Sequence, residues 1–203
     1  MDTPTSLHEQ RLEAVIGVLR ENAVASVIDL GCGQGFLLAR LAGMDAFGTL
    51  AGADICPVSL RQAKMRLEQE HAGVPAHVCL FEASFTQDDA RFSGYDAAVL
   101  LETIEHIEPD QLSKLENAVF GTARPALVVV TTPNRDYNAL LGVPEHRMRH
   151  PDHRFEWGLQ KFQSWCAGVA TRNRYTVAGF RHIGGAHPAL GGPTQMAVWR
   201  KAE

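Results

Sequence analysis

Short apolar runs alternate with amphipathic stretches along most of the chain, and each kind predicts an element. The N-terminal run HEQRLEAVIGVLREN repeats its apolar residues at helical spacing, and Ser6 is placed to cap that helix. SVIDL (Ser26–Leu30) predicts a buried strand, and GFLLARLAGM a helix after a glycine turn. TLAGAD (Thr49–Asp54) predicts a second strand, and Pro57 suits the first turn of a helix running on through SLRQAKMRLEQEH. AHVCLFE (Ala76–Glu82), YDAAVLLE (Tyr95–Glu102) and ALVVVTTP (Ala126–Pro133) predict three more strands, with a helix over Asp110–Ala123 between the last two.

Strands that alternate with helices imply a parallel sheet with right-handed crossovers. The end of the chain breaks the pattern. After a helix near Gln160–Thr171, the runs RYTVAGF and TQMAVWR flank GGAHPALGGP, which predicts a hairpin. The expected class is α/β, a doubly wound, mostly parallel seven-stranded sheet with an antiparallel C-terminal hairpin strand. This resembles the Rossmann-like class I methyltransferase fold.

Composition narrows the picture. A length of 203 residues, with no repeat or composition break, suits a single domain over residues 1–203. No apolar run reaches the roughly 18 residues of a membrane span. The polar, acidic start MDTPTSLHEQ is unlike a signal peptide. The 4 cysteines, Cys32, Cys56, Cys79 and Cys166, are too dispersed for a disulfide frame or zinc knuckle, so a cytoplasmic location is expected. A net charge of −4 means that any nucleic-acid contact must be local.

The run VIDLGCGQGF puts Asp29, Gly31, Gly33 and Gly35 at the first strand–helix turn, where glycines let the backbone approach a ligand. A dinucleotide fingerprint would need glycine at position 36, and Phe36 stands there. The pattern instead resembles the S-adenosylmethionine loop, and the resemblance assigns Asp29 to the cofactor's amino-acid moiety. Asp54 ends the second strand, where a carboxylate reaches ribose hydroxyls. Ser84 and Phe85 follow the third strand, on the expected adenine side.

The run LETIEHI spaces Glu102, Glu105 and His106 at i, i+3 and i+4, one face of a helix. A second cluster, MRHPDHRFEW, holds His150, Asp152 and His153 in a long, poorly periodic connection after the fifth strand. Both project to the carboxyl edge that carries the glycine loop. Carboxylate and imidazole donors suit one divalent ion such as Mn2+ or Mg2+ better than a thiolate-rich zinc site.

Taken together, LETIEHI, TTPNRDYN, RHPDHRFEW and PTQMAVW resemble the small-RNA 3′-terminal ribose 2′-O-methyltransferase family. The resemblance runs from about Ser26 to Arg200. It implies a metal held by Glu102, Glu105, His106 and His153, with His150 in support, and S-adenosylmethionine as methyl donor. It implies single-stranded RNA 3′ ends as substrate, and a separate RNA-repair or RNA-delivery protein as partner. One ion could meet both hydroxyls of a terminal ribose and activate the 2′-oxygen. The proton would pass to His106, His150 or water. Arg135, Arg147, Arg149 and Arg154, with His146, are the candidate phosphate contacts, and Pro133, Asn134, Tyr137 and Asn138 would shape the cofactor–substrate boundary. The chain departs from the family pattern after FEW, where Gly158 and Leu159 replace Thr-Arg and weaken the expected helix cap.

Two other functions compete. A metal-dependent small-molecule O-methyltransferase would share the loop and the ion but has no need of the arginine-rich segment. A cofactor-binding module without catalysis would have no reason to keep four ligands.

Overall fold

The computed structural model describes residues 6–185 and 187–202, so Met1–Thr5 of the polar N-terminal run and Ala186 of the hairpin connection lie outside the described residues. Seven strands form one sheet in the order β3-β2-β1-β4-β5-β7-β6. They are β1 (Ser26–Leu30), β2 (Thr49–Asp54), β3 (Val78–Glu82), β4 (Ala97–Leu101), β5 (Leu127–Pro133), β6 (Tyr175–Ile183) and β7 (Thr194–Lys201). β1 to β5 pair in parallel, while β7 inserts antiparallel between β5 and β6.

Period-two alternation in the strands feeds two cores. Ile28, Leu30, Ala98, Leu100, Val128 and Val130 face one side, packed with α5 (Leu159–Asn173) and the segment that carries α4 (Leu112–Glu116). Val27, Ala97, Val99, Leu127 and Val129 face the other, packed with α1 (Ser6–Glu21), α2 (Phe36–Ala42) and α3 (Pro57–His71). Strands covered on both faces read as continuous apolar runs, which is why they stood out in the sequence. No helix among the described residues is long and apolar enough to cross a membrane.

Three local expectations change. Ser6, the first described residue, already lies within α1 and does not precede it as a cap. The helix expected over Asp110–Ala123 is a 3-10 turn, one short α-helical segment (α4) and a π-helical stretch over Asn117–Ala123. β6 runs on past Phe180 to Ile183, with a bulge between Val177 and Gly179 that restores its pairing with β7. The predicted cap problem at α5 is solved from a distance. The backbone N–H of Leu159 donates to the Asp136 carboxylate at 2.8 Å, and a Cβ at Gly158 would fall 2.2 Å from that carboxylate. Glycine there leaves room for a borrowed cap.

Candidate active site

The glycine loop and the acidic segments meet between β1 and β4, the neighbouring pair at which the strand order reverses. Gly31 and Cys32 donate backbone N–H bonds to the Ala53 carbonyl at 2.8 and 3.1 Å. Asp54 accepts from the Gly33 and Cys56 amides, each at 2.8 Å. The loop is therefore pinned to the end of β2, and Asp54 keeps lone pairs for further donors. Gly31 has φ +77, and a Cβ there would come 2.3 Å from Cγ2 of Thr103. Gly35, at φ +74, lies close to α3, where a Cβ would meet that of Ala63 at 2.8 Å. Gly33 faces open space at φ +52.

Beside Asp54 a cavity of about 330 Å3 is lined by Ile55, Ala83, Ser84 and Gln87 among others. Ser84 lines this cavity, on the side the sequence expects for adenine. Phe85 does not: it packs into the apolar core, 8% exposed, because the chain turns inward after β3.

Asp29 is buried, and its Oδ1 has no hydrogen-bond partner. Burial, and behind it the charge of Asp54, pushes this carboxyl up to about 7. A carboxyl whose folded pKa exceeds its unfolded value stabilises the fold while protonated, and that contribution is lost as pH rises from about 4 to about 7. Asp29→Asn is therefore expected to melt above the wild-type protein near pH ~8 without cofactor, with the gap closing towards pH ~4. Thermal melts across that range check it, and a gap that ignores pH would show that Asp29 does not titrate there.

The second half of the site is built on a turn. The run LETIEHI is not one helix face: Glu102 has φ +52, and a 3-10 turn over Ile104–His106 follows. The Glu102 amide is held by the Thr131 carbonyl at 3.1 Å and by the Thr131 hydroxyl at 3.0 Å, which ties the turn to β5. The turn brings Glu105 and His106 to His153, with one donor atom from each residue within 4.8 Å of the others. Glu102 stands outside that group, and its Oε2 pairs with Arg11 at 2.7 Å.

Glu105 is fully buried. Its Oε2 accepts from Thr132 at 3.0 Å, while its Oε1 and that of Glu102 have no partner. Burial, and then the charge of Glu102, drives the Glu105 carboxyl well above its ordinary range. Burial also raises Glu102, against the pull of Arg11. Burial, then His153 and His150, holds His106 below its usual value and so neutral at physiological pH. Two desolvated carboxylate oxygens without donors, beside the imidazoles of His106 and His153, fit a divalent cation.

His153 is oriented by a residue the sequence analysis missed. Its Nδ1 meets Glu156 Oε1 at 2.6 Å, which leaves Nε2 for the cluster. Glu156 also accepts from Asn138 at 2.6 Å and from the Arg149 amide at 2.7 Å. Burial alone would raise Glu156, but these donors, His153 first, hold it below its ordinary value. His150 is exposed beside the cluster, its ring centroid 6.2 Å from His106 and 5.6 Å from His153.

Two expectations about substrate contacts are corrected. Arg149 is drawn inward: all three of its guanidinium nitrogens donate to the protein, to Asn138 and to the Pro193 and Asn134 carbonyls, so it braces this loop and does not stand free for a phosphate. Asn134 and Asn138 are buried, and Asn134 donates to the Leu190 and Gly192 carbonyls at 2.7 and 2.9 Å. They shape the loop from inside rather than line a boundary. Arg135, His146, Arg147 and Arg154 stay exposed, and Arg154 lies 3.3 Å from Glu108.

Comparisons with known proteins agree with this fold. Residues 27–126 match the family model described as "Methyltransferase domain". A small RNA 2′-O-methyltransferase of Gallus gallus is 36% identical over 96% of this chain and 54% of its own. The crystal structure of the methyltransferase domain of bacterial CtHen1 superposes with a TM-score of 0.87 and 39% identity, over 98% of this chain and 100% of that one. A chain in the structure of the Pnkp1/Rnl/Hen1 RNA repair complex shares the fold, with a TM-score of 0.71 and 22% identity over 97% of this chain and 42% of that one. The chain spans about half, or less, of the length of the first curated relatives it matches.

Proposed function

The chain belongs to the small-RNA 2′-O-methyltransferase family, and on that premise we propose that it methylates the 2′-hydroxyl of the 3′-terminal ribose of small or cleaved RNA. The observation that carries this reading is the convergence of Glu105, His106 and His153 on the turn whose Thr103 packs against Gly31 of the glycine loop, with buried carboxylate oxygens that lack donors.

S-adenosylmethionine supplies the methyl group as a sulfonium, and Asp29, Asp54 and the loop glycines are the residues to hold it. A divalent ion, Mn2+ or Mg2+, would be held by Glu105, His106 and His153, with Glu102 as the further candidate ligand, and would supply Lewis acidity that lowers the proton affinity of the acceptor hydroxyl. The chain's own part is positional. Glu156 keeps the free nitrogen of His153 turned to the cluster, and Thr132 fixes the Glu105 carboxylate. His150, the exposed imidazole beside them, is placed to accept the departing proton. Arg135, Arg147 and Arg154 offer charge to the last phosphates without reading base edges. On the precedent of the RNA repair complex, an RNA-end-processing partner would deliver the substrate.

The test is methyl transfer to matched oligonucleotides that differ only in the terminal sugar, with Mn2+, Mg2+ or chelator. A free terminal diol should be methylated at its 2′-oxygen, and removal of metal should stop the reaction. A terminal 2′-deoxy, 3′-deoxy or 3′-phosphate end should be poor. Efficient methylation of an internal ribose would sink end recognition, and a preference for catechol-like acceptors over RNA would favour a small-molecule O-methyltransferase.

A further inference from the structure

Arg11 is the one α1 residue that reaches the cation cluster, and it does so with a charge of the wrong sign to help a cation bind. Its Nη2 lies 2.7 Å from Glu102 Oε2 and its Nε donates to the Thr194 hydroxyl at 2.8 Å. Both ion-pair side chains are 15% exposed, and Thr194 at the start of β7 is fully buried. The guanidinium is thus held at two points, and it in turn holds Glu102, the family ligand that does not join Glu105, His106 and His153. The charges of Glu102 and Glu105 repel; Arg11, in direct contact with Glu102, offsets both, with Arg149 also acting on them.

We propose that Arg11 is the internal counter-cation of the Glu102–Glu105 pair, which an incoming divalent ion must displace or outweigh, so that this residue of α1 sets the affinity of the site. The inference rests on the reading that the cluster binds a divalent ion. Its physical basis is like-charge opposition: a guanidinium and a divalent cation compete for one carboxylate at short range, where water screens weakly. The metal-free fold gains from Arg11, because two buried carboxylates without a counter-charge are costly. The metal-bound state loses by it. Removal of the charge should therefore move the two states in opposite directions, which a merely structural arginine would not do.

The experiment uses the full chain, without cofactor or RNA. Mn2+ binding is measured by titration calorimetry, and melting is followed in EDTA and in Mn2+. Arg11→Met keeps the aliphatic stem and loses the charge. It is expected to bind Mn2+ about tenfold tighter, the effect of one unit charge a few ångströms from the ion, and to melt lower than wild type in EDTA but not in Mn2+. Thr194→Val, which removes the tether and keeps the charge, should shift Mn2+ affinity the same way by less, and it serves should Arg11→Met not fold. Mn2+ binding by wild type that both variants leave unchanged or weaken overturns this inference alone. Absence of Mn2+ binding in all three proteins would take down the metal reading and this inference together.

Discussion

Glu105→Gln is expected to cut methyl transfer by about a thousandfold while making the metal-free protein harder to unfold. Lewis acidity at such a site supplies several kcal/mol of stabilisation, at about 1.4 kcal/mol per tenfold in rate. Loss of a central donor forfeits most of it. Stability moves the other way because Glu105 is fully buried with one hydrogen bond, from Thr132. The amide oxygen of glutamine can keep that bond without a desolvated charge. The sign with pH follows from the direction of the shift. The carboxyl is raised well above its ordinary value by burial and by Glu102, so the wild-type fold is favoured while Glu105 is protonated and loses that advantage as pH rises. The melting advantage of Glu105→Gln in EDTA should therefore widen from acid towards neutral pH. A variant that keeps normal activity under limiting metal would show that Glu105 is no ligand, and one that melts lower at neutral pH would show that it is no strained charge.

Glu156→Gln is expected to weaken Mn2+ binding by about 10- to 100-fold, the usual cost of removing the group that orients a ligating histidine. Glu156 accepts from His153, Asn138 and the Arg149 amide at once. An amide in its place carries a donor face that must meet either Asn138 Nδ2 or His153 Nδ1. In the second case His153 keeps its proton on Nε2, the nitrogen turned to the cluster, and cannot ligate there. Excess Mn2+ should restore part of the rate, and S-adenosylmethionine affinity should not change. Wild-type rates at limiting Mn2+ would refute the orienting role.

The parts of this site that are legible in the sequence are those whose chemistry is local. Asp29, the three glycines and Asp54 stand at strand ends that the apolar runs mark, and the turn needs positive φ at Gly31, Gly33 and Gly35. Glu105, His106 and His153 announce themselves by residue type. Spacing misleads at Glu102, because i, i+3 and i+4 cannot tell a helix from a strand that ends at φ +52 and folds into a 3-10 turn. Phe85 misleads because a residue after a strand can turn to the ligand or to the core, and a phenylalanine gains more from the core. Glu156 and Arg11 are invisible for another reason. Each is defined by partners far along the chain, Asn138 for one and Glu102 and Thr194 for the other. A hint existed for each: an acidic residue between two buried aromatics, and an arginine next to Leu12 on the apolar side of a helix. Arg149 shows the converse, a cation in a basic stretch whose three guanidinium nitrogens each bond to the protein.

The near-contact of Gly31 with Thr103 has a bearing on how such a chain can change over generations. Position 31 is closed twice, by its φ of +77 and by the threonine methyl that a Cβ would meet at 2.3 Å. Position 103 is closed once, since a smaller residue there only opens space. Mutational drift at this junction therefore has one direction: 103 can shrink, and 31 cannot grow even after it does. Transplanting the glycine loop of another methyltransferase into this scaffold should succeed only with donors that carry glycine at this point, whatever the rest of their loop contains.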